Sequence, residues 1–272
     1  MKRHILINAT AILCMALVSC TINVDGETFG GESIKGNGNI MTRTYEVSAF
    51  DEISVSLPAT VNFTKADDYS CVVRVDENLF EYLDIKVKNG ELYLCRQEKD
   101  KNTRLKTTEF VIEVTAPSLE DINLAGSGTF NVLSPLKAKE MEINVAGSGD
   151  VFFEELVVVK EIEANVAGSG SLVFANLEAD KFDGNVAGSG DLNVENGVVR
   201  EAEVTVAGSG DCDLSCDVID LEANIAGSGD ITAKVSNSIK YSIIGSGGIS
   251  YFGNPVVSGD KVGRGSVKQI SE

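Results

Sequence analysis

Histidine is nearly missing from this chain. Its one copy, His4, lies inside a leader-like segment at the start. A chain that loses the leader has none, which removes Ser-His-Asp and Cys-His catalysis and the usual His-containing zinc sites. Tryptophan is absent, which weakens a reading based on stacking against sugar rings, although six Tyr remain. Basic residues are scarce, 23 Lys and Arg against 41 Asp and Glu, for a net charge of −18. Without Lys2 and Arg3 the count becomes 21 against 41, a net −20. Such acidity argues against nucleic acid or an anionic membrane surface as a partner.

Long apolar runs are also missing after the first 20 residues, so no later segment reads as a membrane span. The one early run, Ile5 to Val18, follows Lys2 and Arg3 and is short for a span. It ends Leu17-Val18-Ser19-Cys20, which resembles a bacterial lipobox. Residues 1–19 are therefore expected to be a signal peptide. Cys20 would be the lipidated first residue of the mature chain, anchored by several acyl chains. The competing reading is an ordinary secretory signal. Residues 20–42 are polar and rich in Gly and Asn, and are expected to form a flexible tether.

Cysteine is sparse. Beyond Cys14 and Cys20 there are Cys71, Cys95, Cys212 and Cys216. Cys212 falls in an apolar column and reads as a buried small hydrophobe. Cys71 and Cys95 lie on predicted strands that could neighbour one another, and an exported chain could pair them.

Glycine, by contrast, is present in quantity and in order. Of 27 glycines, 14 belong to seven Gly-Ser-Gly triplets. They are Gly126-Ser127-Gly128, Gly147-Ser148-Gly149, Gly168-Ser169-Gly170, Gly188-Ser189-Gly190, Gly208-Ser209-Gly210, Gly227-Ser228-Gly229 and Gly245-Ser246-Gly247. The first glycines are spaced 21, 21, 20, 20, 19 and 18 residues apart. A fixed period of this length marks a repeat architecture. Apolar and polar residues alternate on both sides of each triplet, as in strands with one buried face. The triplet is then a tight corner between two short strands, where glycine tolerates positive φ and close backbone approach.

Identical corners at every repeat require a coil that returns to the same place, with equivalent strands paired in parallel. Parallel crossovers are overwhelmingly right-handed. The expected fold is all-β, a right-handed parallel β-helix with about 20 residues per rung. A propeller blade would need roughly 40 residues and four strands. Residues 43–116 lack the triplet and are expected to form irregular N-terminal rungs, with a separate small β domain as the alternative. Residues 97–108, rich in charge, read as an exposed loop. Residues 117–272 form the regular helix, closed by a C-terminal cap in which Gly263-Arg264-Gly265 looks like an eighth corner.

Stacking at about 4.8 Å would place Asp121, Glu142, Glu163, Asp183, Glu203 and Glu222 in one column. Glu140, Glu161, Glu201 and Asp220 share its outward parity two residues earlier. Three readings stand: a solvated acidic face, a calcium site bridging rungs, or a carboxylate pair with raised pKa doing acid/base work. No cofactor other than calcium is implied. The polar column Asn123, Asn144, Asn165, Asn185, Thr205, Asn224 reads either as a ladder of stacked amides or as a polar binding stripe.

The segments Phe50-Asp51-Glu52-Ile53-Ser54-Val55, Asn78-Leu79, Pro117-Ser118-Leu119-Glu120-Asp121-Ile122 and Gly253-Asn254-Pro255, with the serial Ala-Gly-Ser-Gly-Asp corners and the lipobox, are similar to one bacterial family. It is the putative auto-transporter adhesin, head GIN domain family, and the resemblance covers about residues 43–270. It implies a right-handed β-helix on an envelope-anchored protein of Bacteroidetes-type bacteria, and no catalytic residue comes with it. Thr129 and Ile244 depart from the usual corner. The expected function is a non-enzymatic, lipid-anchored adhesin-like or scaffold surface in the cell envelope, at the outer membrane. Its partners would be the membrane, through the lipid, and a protein or glycan ligand. The alternative is a polysaccharide-active enzyme of pectate-lyase-like architecture, which rests on fold analogy alone.

Overall fold

The structure is a computed structural model that describes residues 33–100 and 103–271. The leader and Cys20 lie outside the described residues. Strand accounts for 71% and helix for 4%, and parallel coils stack into a β-solenoid of about 7 turns. Sheet therefore walls the core on every side.

One rung shows the plan. The strand run Asp150–Gly168 bends as it circles the core, and Ser171–Gly188 follows it one level on. The two pair in parallel through three segments: Val151 with Leu172, Val157 with Leu177, and Ile162 with Phe182. Between them lies the corner Gly168-Ser169-Gly170. Gly168 has φ +129°, and an added Cβ would lie 2.2 Å from the Gly147 carbonyl oxygen. A Cβ on Gly170 would lie 2.0 Å from the Gly149 oxygen. The first glycine is thus required by both conformation and space, the second by space. Corners are tied rung to rung as Ser169 N–H donates to Gly147 O at 2.7 Å, and Ser189 N–H to Gly168 O at 2.8 Å.

Alternation fills the interior. Ile122, Ile143, Ala164, Val204 and Ala223 are buried in one inner column, and Leu124, Val145, Val166, Val186, Val206, Ile225 and Ile243 in another. Phe153 and Phe174 stack across adjacent rungs with ring centroids 4.6 Å apart. Gly184 takes an inner position because a Cβ there would strike the Phe182 ring at 2.7 Å. Burying a ring such as Phe174 contributes about 1.5–3 kcal/mol.

The N-terminal part joins the same stack. Glu52–Val55 lies in parallel register under Asp121–Leu124, and Thr60–Phe63 under Thr129–Val132. A further partial rung, from Glu91–Leu94 and Val111–Ala116, sits beneath them. Its irregularity comes from antiparallel pairs. Ser70–Asp76 runs against both Ile40–Tyr45 and the 110–115 strand, and Leu83–Lys88 against Glu91–Arg96. Asn89 (φ 57°) and Gly90 (φ 88°) make the hairpin turn of the latter pair.

Two expectations need correction, and the pairing left open for Cys71 and Cys95 is not formed. Residues 33–42 are not tether: Ser33–Lys35 and Ile40–Tyr45 are strands. Their glycines serve packing, since a Cβ on Gly36 would fall 2.2 Å from Asp76 Cγ. The charged stretch 97–108 contains the strand Arg104–Lys106, paired in parallel with Ser33–Lys35 and pinned by buried Leu105. Cys71 and Cys95 are both free. Cys71 sits on the 70–76 strand and Cys95 on the 91–96 strand, which pair with other strands and not with each other. Cys212 and Cys216 are buried and free, and burial pushes the Cys216 thiol up to about 12.

At the far end, Val256–Gly263 pairs with the rung before it, and Gly263 aligns with Gly245. Arg264 N–H donates to Gly245 O at 2.8 Å, which completes an eighth corner.

Candidate functional site

The carboxylate column exists and is longer than the sequence suggested. Parallel register aligns Glu91, Glu52, Asp121, Glu142, Glu163, Asp183, Glu203 and Glu222, with Lys240 after them. Glu52 and Glu91 were missed because their segments lack the triplet, although each precedes an inward Ile or Leu as the others do. The second column runs Glu140, Glu161, Lys181, Glu201, Asp220. Lys181 interrupts it and reaches Asp183 Oδ2 at 2.6 Å.

Neighbouring like charges about 4.8 Å apart cost roughly 1 kcal/mol per pair in water-like dielectric. The strain surfaces where burial adds to it. Partial burial, then Glu52, Glu142 and Glu120, push the Asp121 carboxyl up to about 6. Burial and the charge of Glu91 raise Glu52, and burial with Asp183 raises Glu203. Elsewhere hydrogen bonds relieve it. Ser238 and Asn237 donate to Asp220 and lower its pKa.

Beside this column runs the amide ladder. Asn144 Nδ2 donates to Asn123 Oδ1 at 3.0 Å, Asn165 Nδ2 to Asn144 Oδ1 at 2.9 Å, and Asn185 Nδ2 to Asn165 Oδ1 at 3.0 Å. The same amides tie into the acids, with Asn144 donating to Glu142 at 2.9 Å and Asn165 to Glu163 at 3.1 Å. A second, shorter ladder links Asn131, Asn62 and Glu113. The corner aspartates had no role assigned from sequence. Asp211 Oδ1 accepts from Asp230 N–H at 2.8 Å, and Asp230 Oδ1 from Gly248 N–H at 2.6 Å. They are rung-to-rung ties. The signal was visible in the Ala-Gly-Ser-Gly-Asp repeats.

The acidic flank forms an open groove of about 520 Å³ along Asp121, Glu142, Glu163, Asp183 and Glu203. Among the described residues, no group of three or more His, Cys, Asp or Glu is placed to hold a metal ion. The calcium reading of Asp121, Glu142, Glu163, Asp183, Glu203 and Glu222, one of the three left open, therefore lacks a coordinating cluster. Each rung gives the column one carboxylate, and several bond to Asn144, Asn165 or Lys181 instead of converging. Among the described residues no helix is long and apolar enough to cross a membrane.

The profile of one protein family, the putative auto-transporter adhesin, head GIN domain, matches residues 49–215 and 152–255. No curated protein matches the chain. Among solved structures, a putative lipid binding protein from Parabacteroides distasonis is 35% identical, with TM-score 0.85 over 88% of this chain and 100% of its own. A putative adhesin from the same species is 28% identical, with TM-score 0.82 over 88% and 100%. A putative adhesin from Parabacteroides merdae is 26% identical, with TM-score 0.80 over 89% and 100%. With more than half its length matched by the family profile and a solved relative above 30% identity covered in full, the chain belongs to the putative auto-transporter adhesin, head GIN domain family.

Proposed function

We propose that this protein is a non-enzymatic, lipid-anchored component of the bacterial cell envelope whose long acidic flank is an adhesin-like binding surface. The observation that carries this reading is the column of eight aligned carboxylates from Glu91 to Glu222, braced by the amide ladder. A rigid row with one charge about every 4.8 Å suits repeated weak contacts with an extended ligand. The chemistry favours a basic protein segment or an amine- or hydroxyl-bearing glycan. The acids recur from rung to rung. The raised pKa of Asp121 comes from burial and its own column neighbours, so no pair stands apart as a catalytic couple. Cys20 is the proposed lipid attachment, which would hold the solenoid at the outer membrane.

The test is binding of the chain from Thr21 onward to an array of glycans and matrix proteins, with and without calcium. Hits that weaken with salt and are lost in Glu142→Gln/Glu163→Gln support the acidic flank as the binding face. Hits that persist in that variant would place recognition elsewhere. Turnover of polyuronates would overturn the non-enzymatic reading.

A further inference from the structure

Net charge hides a local exception at the N-terminal end of the stack. A cavity of about 310 Å³ is lined by Arg96, Arg104 and Lys106, with Leu57, Pro58 and Leu105 as its apolar part. No carboxylate lines it, in a chain with 41 Asp and Glu. We propose that this cavity binds a phosphate group, either as the free anion or on a lipid headgroup.

The cavity lies where glycine-on-glycine stacking ends on the Gly126 side of the first corner, while Gly128 still packs on Leu57 O and Ala59 O. A Cβ on Gly147 would lie 2.5 Å from Gly126 O, whereas one on Gly126 would meet nothing within 4 Å. Beneath Gly126 the chain turns through Ser56-Leu57-Pro58-Ala59 instead of another Gly-Ser-Gly, which leaves space between the stack and the Arg104–Lys106 strand. Arg104 and Lys106 are exposed on either side of buried Leu105 and lie about 7 Å apart along the strand. Lys35 is in register with Lys106 and adds a fourth cation alongside. Arg96 is oriented by donating to Thr103 O at 2.5 Å, and a guanidinium carries further donors that match phosphate oxygens two at a time. Apolar walls reduce screening of these charges. The volume is at the lower end of small-ligand sites, roughly 300–1,000 Å³. The acidic column begins at this end with Glu91 and Glu52, but neither carboxylate is among the residues that line the cavity.

Thermal unfolding of the chain from Thr21 onward provides the first arm. Saturating inorganic phosphate is expected to raise Tm by about 2–4 °C over chloride at matched ionic strength. Arg104→Gln/Lys106→Gln is expected to lose that rise, and Lys268→Gln, at the far end, to keep it. The second arm is sedimentation with phosphatidylglycerol vesicles against phosphatidylcholine alone. Binding to the former that the double variant abolishes assigns the phosphate to a lipid. A response to inorganic phosphate alone assigns the free anion. If neither probe gives a response that the double variant removes, the proposal is wrong. Should that variant fail to fold, Arg96→Lys keeps the charge but loses the fork, and is expected to weaken either response severalfold.

Discussion

Asn165 donates its side-chain amide to Asn144 Oδ1 across 2.9 Å, from one rung to the rung before it, and its own Oδ1 accepts from Asn185 at 3.0 Å. Asn165 is buried, with 7% of its surface exposed, so each of these bonds replaces contact with water. Asn165→Ala is expected to destabilise the protein by about 1–3 kcal/mol, because Asn144 and Asn185 each lose a partner. Thr205 interrupts the ladder between Asn185 and Asn224. Thr205→Asn is expected to rejoin it and add about 0.5–1.5 kcal/mol. Urea unfolding of the two variants checks both, and a neutral Asn165→Ala would show that the ladder is decorative.

The first two corners separate conformation from space. Gly126 and Gly147 have similar φ, +109° and +119°, but only Gly147 is crowded. Gly126→Ala is expected to cost about 1–3 kcal/mol of backbone strain. Gly147→Ala adds steric overlap with the corner below, roughly another 1–3 kcal/mol. Exposed Ser148→Ala should fall within about 0.5 kcal/mol of neutral. Equal losses at Gly126 and Gly147 would refute the crowding argument.

Asp121 gives a pH signature. Its folded pKa, about 6, lies above the ordinary 3.8, so the folded state holds the proton more tightly than the unfolded one. Its contribution is most favourable below about pH 4, declines as pH rises towards 6, and stays unfavourable above that. Asp121→Asn is therefore expected to raise Tm at pH 7 and to change it little at pH 4. NMR titration of the Asp121 carboxyl should show a midpoint near 6. A midpoint near 4 would mean that its neighbours are screened.

Asp76 behaves in the opposite sense. It is fully buried, and its carboxylate accepts from Gly38 N–H at 2.7 Å, Thr108 N–H at 2.8 Å and Thr108 Oγ1–H at 3.0 Å. Burial alone would raise its pKa, but these bonds outweigh it and hold the group below 3.8. Its stabilisation is present above that value and is lost as pH falls through the lower folded pKa. Asp76→Ala leaves two backbone donors unpaired and is expected to cost about 2–3 kcal/mol. Hydrogen exchange should quicken first at residues 36–39, and uniform quickening across the stack would count against this local role.

The seven triplets and the alternation around them were enough to read the solenoid, its rung length and the order of its columns. Each is a local requirement repeated: glycine where Cβ would strike the corner below, and apolar residues at every second inward position. The columns of Asp121 and Asn123 followed, because equal spacing in sequence becomes vertical alignment in parallel register. Pairings between segments without the repeat could not be read this way. Glu52 and Glu91 join the acidic column, Ser33–Lys35 pairs with Arg104–Lys106, and Asp76 gathers Gly38 and Thr108, all across 30 residues or more. Composition there suggested tether and loop. Only the tertiary structure decided otherwise, because long-range register and the hydrogen bonds of one buried carboxylate leave no periodic trace in the chain.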